Sequence, residues 1–295
     1  MTVFDTEFLQ KLEYLSLVVR RVYHGQMLAR RSTRQLGSGI EFADHQAYVP
    51  GDDFRYLDWN AYARHGDLLL KRFHEERDLQ VDLLIDCSLS MSVGGAPSKF
   101  DYARRVAASL AYLALAQLER VSICAFADRP VARFPVTRGK HQILRLLRFL
   151  ENLQCATGPT SLDAATADLA QRDRTGGVAV VVSDFFDPQG FERALDRLRH
   201  QQFEVYLVQV FDPSDADPAY RGDLELLDVE TGLRRTLTVR PSDLQKYRAR
   251  FQHFLDSLRA YARHHGLGYI CTSTQLPYDE LILKSMRQAG WLARV

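Results

Sequence analysis

The chain has 295 residues, 46% of them hydrophobic and 25% charged. Those proportions belong to an ordinary globular protein and exclude bulk disorder, low complexity and a collagen-like repeat. Lys and Arg number 38 against 37 Asp and Glu, and a net charge of +1 supplies no global attraction for nucleic acid or a membrane surface.

Residues 7–31 read as one helix, with Leu9, Leu12, Leu15, Val18, Val19 and Val22 on one face. It runs into a basic stretch with Arg30, Arg31 and Arg34. The first thirteen residues hold Asp5, Glu7 and Glu13 and no apolar core, so no secretory leader is expected. Residues 36–67 form a turn-rich segment with Gly37, Gly39, Pro50, Gly51 and Gly66. Its length without clear periodicity marks it as functional or packed rather than idle.

From Leu79 the texture changes to apolar strands alternating with helices. Strands are expected at 81–86, 121–127, 131–136, 178–183, 205–210 and 269–274, the third of them at a sheet edge. Ser98 with Asp101, and Ser242 with Gln245, read as capping boxes for helices reaching about Leu118 and His265. Further helices are expected at 140–152, 161–171, 189–200 and 278–292, and Asp223–Val239 alternates around Glu230, Thr231 and Gly232 as a β-hairpin does. This alternation predicts an α/β fold: a doubly wound, mostly parallel sheet flanked by helices, with an N-terminal helical and irregular arm and an extra hairpin. Residues 1–78 are expected as an arm packed on the main domain, and residues 79–295 as that domain, with the hairpin inserted at about 222–240. No run of about 18 apolar residues occurs, so no membrane span is expected. Cys87, Cys124, Cys155 and Cys271 show no zinc-ligand spacing and suit a reducing cytoplasm.

Ligands of such sheets bind at the carboxyl ends of the strands. There the first apolar strand ends in Asp86-x-Ser88-x-Ser90, and the most apolar strand ends in Ser183-Asp184. Gly158, Pro159 and Thr160 precede a helix between them. Hard oxygens in small number, with room for water, suit Mg²⁺ or Mn²⁺. The expected assignment has Ser88 and Ser90 as direct ligands and Thr160 as a third, direct or through water. Asp86 and Asp184 then neutralise charge through water and hydrogen bonds, and one position stays open for a carboxylate from another protein. The plain alternative is that these Ser and Thr side chains cap local turns and helices. Cys87, inside the motif, has no neighbouring His to activate it and reads as packing.

The Asp-x-Ser-x-Ser, Thr160 and Asp184 arrangement resembles a von Willebrand factor type A domain with its metal-ion-dependent adhesion site. The N-terminal segment narrows the resemblance. It carries Gly37-Ser38-Gly39-Ile40-Glu41-Phe42, then Tyr48-Val49-Pro50-Gly51-Asp52-Asp53-Phe54-Arg55, Leu57-Asp58-Trp59, Ala63-Arg64, and Lys71 to Glu76. This string resembles the bacterial domain of unknown function 58 family. The resemblance implies a MoxR-type AAA+ ATPase as partner and a chaperone-like, adaptor role; it implies no enzymatic reaction. Many such relatives carry N-terminal transmembrane helices, which this chain lacks, so cytoplasmic residence with at most peripheral membrane association is expected. Asp52, Asp53, Asp58 and Glu75 lie among Arg55, Arg64, Lys71 and Arg77, either as an ion network pinning the arm or as a docking surface. Trp59 and Tyr48 read as packing anchors, or else as interface hot spots.

Three functions fit the sequence. A cation-dependent protein-binding module is the primary expectation. A metal-dependent phosphoesterase-like hydrolase is a second, although position 88 is Ser where a nucleophile pair needs a second Asp, and no Walker A loop or G-x-S-x-G elbow occurs. A structural scaffold with a vestigial metal site is the third.

Overall fold

Polar sequence can still pair into sheet, and the segment after the first helix does so. The computed structural model of the chain describes residues 3–30, 36–37, 41–74, 79–171 and 176–289. They fall into two units: the described residues up to 19 with those from 79 onward, and the described residues between 20 and 78.

Helix α1 (Thr6–Arg30) is followed by β1 (Leu36–Gly37), β2 (Glu41–Ala47), α2 (Trp59–His65) and β3 (Leu69–His74). The three strands form an antiparallel sheet in the order β1-β3-β2. The expectation of an irregular segment at 36–67 is therefore corrected. The strand signal was hidden because Glu41, Asp44, His45 and Gln46 interrupt the apolar alternation, and the register sets Asp44 opposite Arg72 and His45 opposite Lys71. Asp58 ties this unit together. Its carboxylate accepts the Asn60 and Ala61 N–H groups at 3.0 and 3.1 Å, capping α2. It also meets His45 Nε2 at 2.8 Å and Lys71 Nζ at 3.5 Å. The His45 contact, joined by those N–H groups and Lys71, holds the Asp58 acid down at about 2. Asp53 pairs with its near neighbour Arg55, and Asp52 accepts the Val49 N–H. Trp59, the first residue of α2, is 63% exposed, against the expectation of a packing anchor. Ser38, Gly39, Ile40, Glu75, Glu76, Arg77, Arg31 and Arg34 lie outside the described residues.

The main sheet is built from β4 (Gln80–Asp86), α3 (Lys99–Ala116), β5 (Arg120–Phe126), β6 (Pro130–Arg138), α4 (Ile143–Asn152), α5 (Leu162–Ala170), β7 (Gly177–Ser183), α6 (Glu192–His200) and β8 (Phe203–Phe211). Then come the short α7 (Pro213–Ala216), the hairpin β9 (Gly222–Leu227) and β10 (Arg234–Val239), α8 (Pro241–His264), β11 (Gly268–Ser273) and α9 (Tyr278–Ala289). Six strands pair in the order β11-β8-β7-β4-β5-β6, all parallel except β6, which is antiparallel at the edge. The doubly wound, mostly parallel sheet is thus present. Strands β4 and β7 are central and buried on both faces, which is why they read as continuous apolar runs. Helices α5, α6 and α8 cover one face through Leu162, Leu195, Leu198 and Leu258. The buried helix α3 covers the other, flanked by α4 and α9.

Two details differ from expectation. At α8 the cap is Arg240, because Pro241 with its fixed φ occupies the first helical position and moves Ser242 inside. The Arg240 N–H donates to Asp243 at 3.1 Å. At α3, Ser98 accepts the Asp101 N–H at 3.1 Å, while the Asp101 carboxylate turns to Arg104 instead of closing a box. The last helix is described to Ala289, so 290–292 of its expected span lie outside the described residues.

The first turns of α1 belong to the core of the main unit. Phe8, Leu12 and Leu15 are buried, whereas Leu9, expected on that face, is 38% exposed. The Phe8 ring sits 5.1 Å from that of Tyr278 in α9, and Arg105 donates to the Val3 carbonyl at 3.2 Å. Leu12 is fully buried. Leu12→Ala is expected to lower stability by about 2–5 kcal/mol, measured by urea unfolding; a loss within about 0.5 kcal/mol contradicts this packing.

Candidate functional site

Strand β4 delivers Asp86 to the carboxyl edge of the sheet, fully buried. The chain then turns away, with the Cys87 N–H donating to the Phe126 carbonyl of β5 at 2.8 Å. Asp86 uses both carboxylate oxygens. Oδ1 accepts the Ser88 N–H at 2.9 Å, and Oδ2 accepts the Ser183 hydroxyl at 2.6 Å. A short 3-10 turn at Leu89–Ser92 follows and brings the Ser88 and Ser90 hydroxyls within 2.9 Å of each other. Ser88 is buried and Ser90 half-buried.

Asp184 follows β7 and is also buried. Its Oδ2 accepts Lys99 Nζ at 2.8 Å, and its Oδ1 accepts the Phe186 N–H at 3.1 Å. Phe185 between them has φ +61°, a left-handed conformation unusual for a bulky residue. That turn lets the Phe185 N–H donate to the Ser183 hydroxyl at 2.8 Å. Lys99, at the start of α3, is 2% exposed and also meets Asp215 of α7 at 3.1 Å. Burial alone pushes the Lys99 ammonium down, but Asp184 and Asp215 more than reverse this, and it stays charged. Nearby, Asp212 accepts the Gly95 N–H at 3.0 Å and the Thr274 hydroxyl at 3.1 Å, fastening the loop before α3 to the ends of β8 and β11.

The third segment arrives by a backbone bridge. Ala156 pairs with Ser88, its N–H donating to the Cys87 carbonyl at 2.8 Å. Gly158 at φ +118° makes the turn that follows, and the Ser161 N–H is fixed to the Ala127 carbonyl at 2.8 Å. Thr160, between them, is buried. Its hydroxyl donates to Glu230 Oε1 at 2.9 Å and its N–H to Glu230 Oε2 at 3.2 Å.

The five residues singled out in the sequence therefore come from three segments gathered at one sheet edge. Lys99, Asp215 and Glu230 were missed, and Ser183, named at its strand end, was given no role. Each joins the site through a contact far along the chain, and none carries a local motif. The Asp184 carboxylate, expected to face a cation through water, already faces the Lys99 ammonium. Cys87 is buried, its thiol donates to the Phe126 carbonyl at 3.1 Å, and burial pushes it up to about 12. It stays a thiol at neutral pH, consistent with packing.

The donor set fits a hard divalent ion of low ligand charge. Among the described residues no group of three or more His, Cys, Asp or Glu side chains is placed to hold a metal ion. An ion here would meet mostly neutral hydroxyls, with Asp86 behind them as the carboxylate that would orient them. Burial, and then the neighbouring Asp184 carboxylate, push the Asp86 acid well above its ordinary range, to about 7. The folded chain thus holds this proton to higher pH than the unfolded chain does. Its contribution to stability is complete below about pH 4 and is lost as pH rises through about 7. With divalent ions chelated by EDTA, the melting temperature is expected to fall between pH 5 and pH 8. Asp86→Asn should flatten that slope, and an unchanged slope in the variant contradicts the assignment.

Among the described residues no helix is long and apolar enough to cross a membrane. Uncharacterized proteins of Mycobacterium bovis and Mycobacterium tuberculosis are 29% identical over 241 residues, covering 81% of this chain and 76% of theirs. Among solved structures, the conserved hypothetical protein BatB of Bacteroides thetaiotaomicron is 15% identical, with a TM-score of 0.46 over 74% of this chain and all of that one. An aerotolerance-related membrane protein of Bacteroides fragilis is 18% identical, with a TM-score of 0.46 over 71% of this chain and 99% of that one. The model of the family described as "protein of unknown function DUF58" matches residues 44–261, most of both units, and the chain belongs to that family.

Proposed function

We propose that the chain is a divalent-cation-dependent protein-interaction module. Ser88 and Ser90 hold Mg²⁺ or Mn²⁺ through their hydroxyls. Thr160 contributes directly or through water, and Asp86 and Asp184 offset charge from behind. The observation that carries this reading is the hydroxyl pair at 2.9 Å beside a buried, doubly hydrogen-bonded carboxylate. Ligands of Mg²⁺ lie at about 2.0–2.1 Å in a near-ideal octahedron, so adjacent ligands are about 2.9 Å apart. Ser88 and Ser90 need no rearrangement to become such neighbours. An ion held by neutral oxygens keeps most of its charge, which favours a carboxylate from another protein as a further ligand.

The family resemblance of residues 37–77 supports a MoxR-type AAA+ ATPase as that protein, with this chain as its adaptor or co-chaperone in the cytoplasm. Surface plasmon resonance between the native chain and a purified MoxR-type ATPase tests the pairing. Binding is expected in Mg²⁺, with a loss of at least about tenfold in EDTA or in Ser88→Ala. Equal binding under all three conditions contradicts cation dependence, and no binding in Mg²⁺ contradicts the choice of partner.

A further inference from the structure

Strands β9 and β10 pair with each other as a two-stranded sheet. An isolated two-stranded ribbon is marginal in stability. Its tip, however, is tightly built. The Glu230 and Thr231 N–H groups donate to Asp228 Oδ1 at 2.9 and 3.1 Å, and the Gly232 N–H donates to the Asp228 carbonyl at 2.8 Å. Gly232 takes φ +71°, which completes the turn. This turn holds out one half-buried side chain, Glu230, and its carboxylate grips both the N–H and the hydroxyl of Thr160.

We propose that Glu230 is an internal carboxylate ligand of the cation site, delivered by the hairpin, and that it holds the position a partner's acidic side chain takes. This rests on the cation-site reading above. The Thr160–Glu230 oxygen pair has the same 2.9 Å separation as the Ser88–Ser90 pair. Adjacent octahedral ligands share that spacing, at about 2.9 Å. Thr160 donates its single hydroxyl proton to Glu230, which leaves its lone pairs for a cation. The hairpin is thus a latch: closed, it supplies the negative oxygen the neutral hydroxyls lack; open, it exposes the ion to an acidic side chain of another protein.

Mn²⁺ serves as the probe, with free ion counted by electron paramagnetic resonance and bound ion by water-proton relaxation. Native chain, Glu230→Gln and Ser88→Ala are compared, each checked for fold by circular dichroism. Glu230→Gln is expected to bind Mn²⁺ about tenfold or more weakly. Its bound ion should relax water more strongly, because water takes the carboxylate's place. Acetate, the simplest free carboxylate, should then remove that extra relaxation from the variant and leave the native chain unchanged. Native affinity and relaxation in Glu230→Gln overturn the latch while leaving the cation site standing. Weaker binding without a gain in relaxation overturns direct ligation, and an equal acetate effect on both chains overturns the competition. Failure of the native chain to bind Mn²⁺, or full binding by Ser88→Ala, overturns the cation-site reading itself.

Discussion

A single buried ammonium organises the carboxyl edge of the sheet. Lys99 is 2% exposed and lies between Asp184 and Asp215, with the Phe186 ring 5.2 Å from its nitrogen. Such an ion pair gives back little net stability once desolvation is counted, yet removing one partner strands a buried charge. Its consequence is positional. Lys99 starts α3, Asp184 follows β7 and Asp215 sits in α7, so one cation fixes three segments that meet nowhere in sequence. Without it, Asp184 would be a buried carboxylate beside Asp86 with no ion-pair partner. With it, Asp184 is largely satisfied, and Asp86, held by Ser88 and Ser183, is the acid left facing the hydroxyl pair.

This division of labour shapes what the edge can do. One cation is built in as a side chain, and on the proposed function a second would be held by hydroxyls. A site with so little ligand charge would bind its ion more tightly once an outside carboxylate joined. The hairpin tip places such a carboxylate within the same chain, on Thr160. The smaller unit has a different logic. Asp58 joins β2, α2 and β3 through a cap, a histidine and a lysine.

The main sheet was legible because its strands are buried on both faces and its helices carry clear apolar stripes. Val178–Ser183 and Gln80–Asp86 needed nothing beyond their composition. The hairpin was legible from alternation around Glu230-Thr231-Gly232. The segment 36–74 was not, because its strands hold charged residues at positions where apolar alternation would mark a strand. The start of α8 was misplaced for a local reason, since Pro241 outweighs Ser242 as a helix-start signal. At the sheet edge, Asp86, Ser88, Ser90, Thr160 and Asp184 were singled out because they sit at strand ends or just before a helix. Lys99 and Glu230 were not found. Their partners are 85 and 70 residues away, and only the winding of the sheet brings them near.

Diffraction from crystals of the native chain soaked in Mn²⁺, collected at a wavelength where manganese scatters anomalously, tests the central claim most directly. The account predicts one strong anomalous peak at the carboxyl edge of the sheet, about 2.0–2.2 Å from the Ser88 and Ser90 hydroxyl oxygens. A peak bound elsewhere, or none at this edge at saturating Mn²⁺, would contradict it.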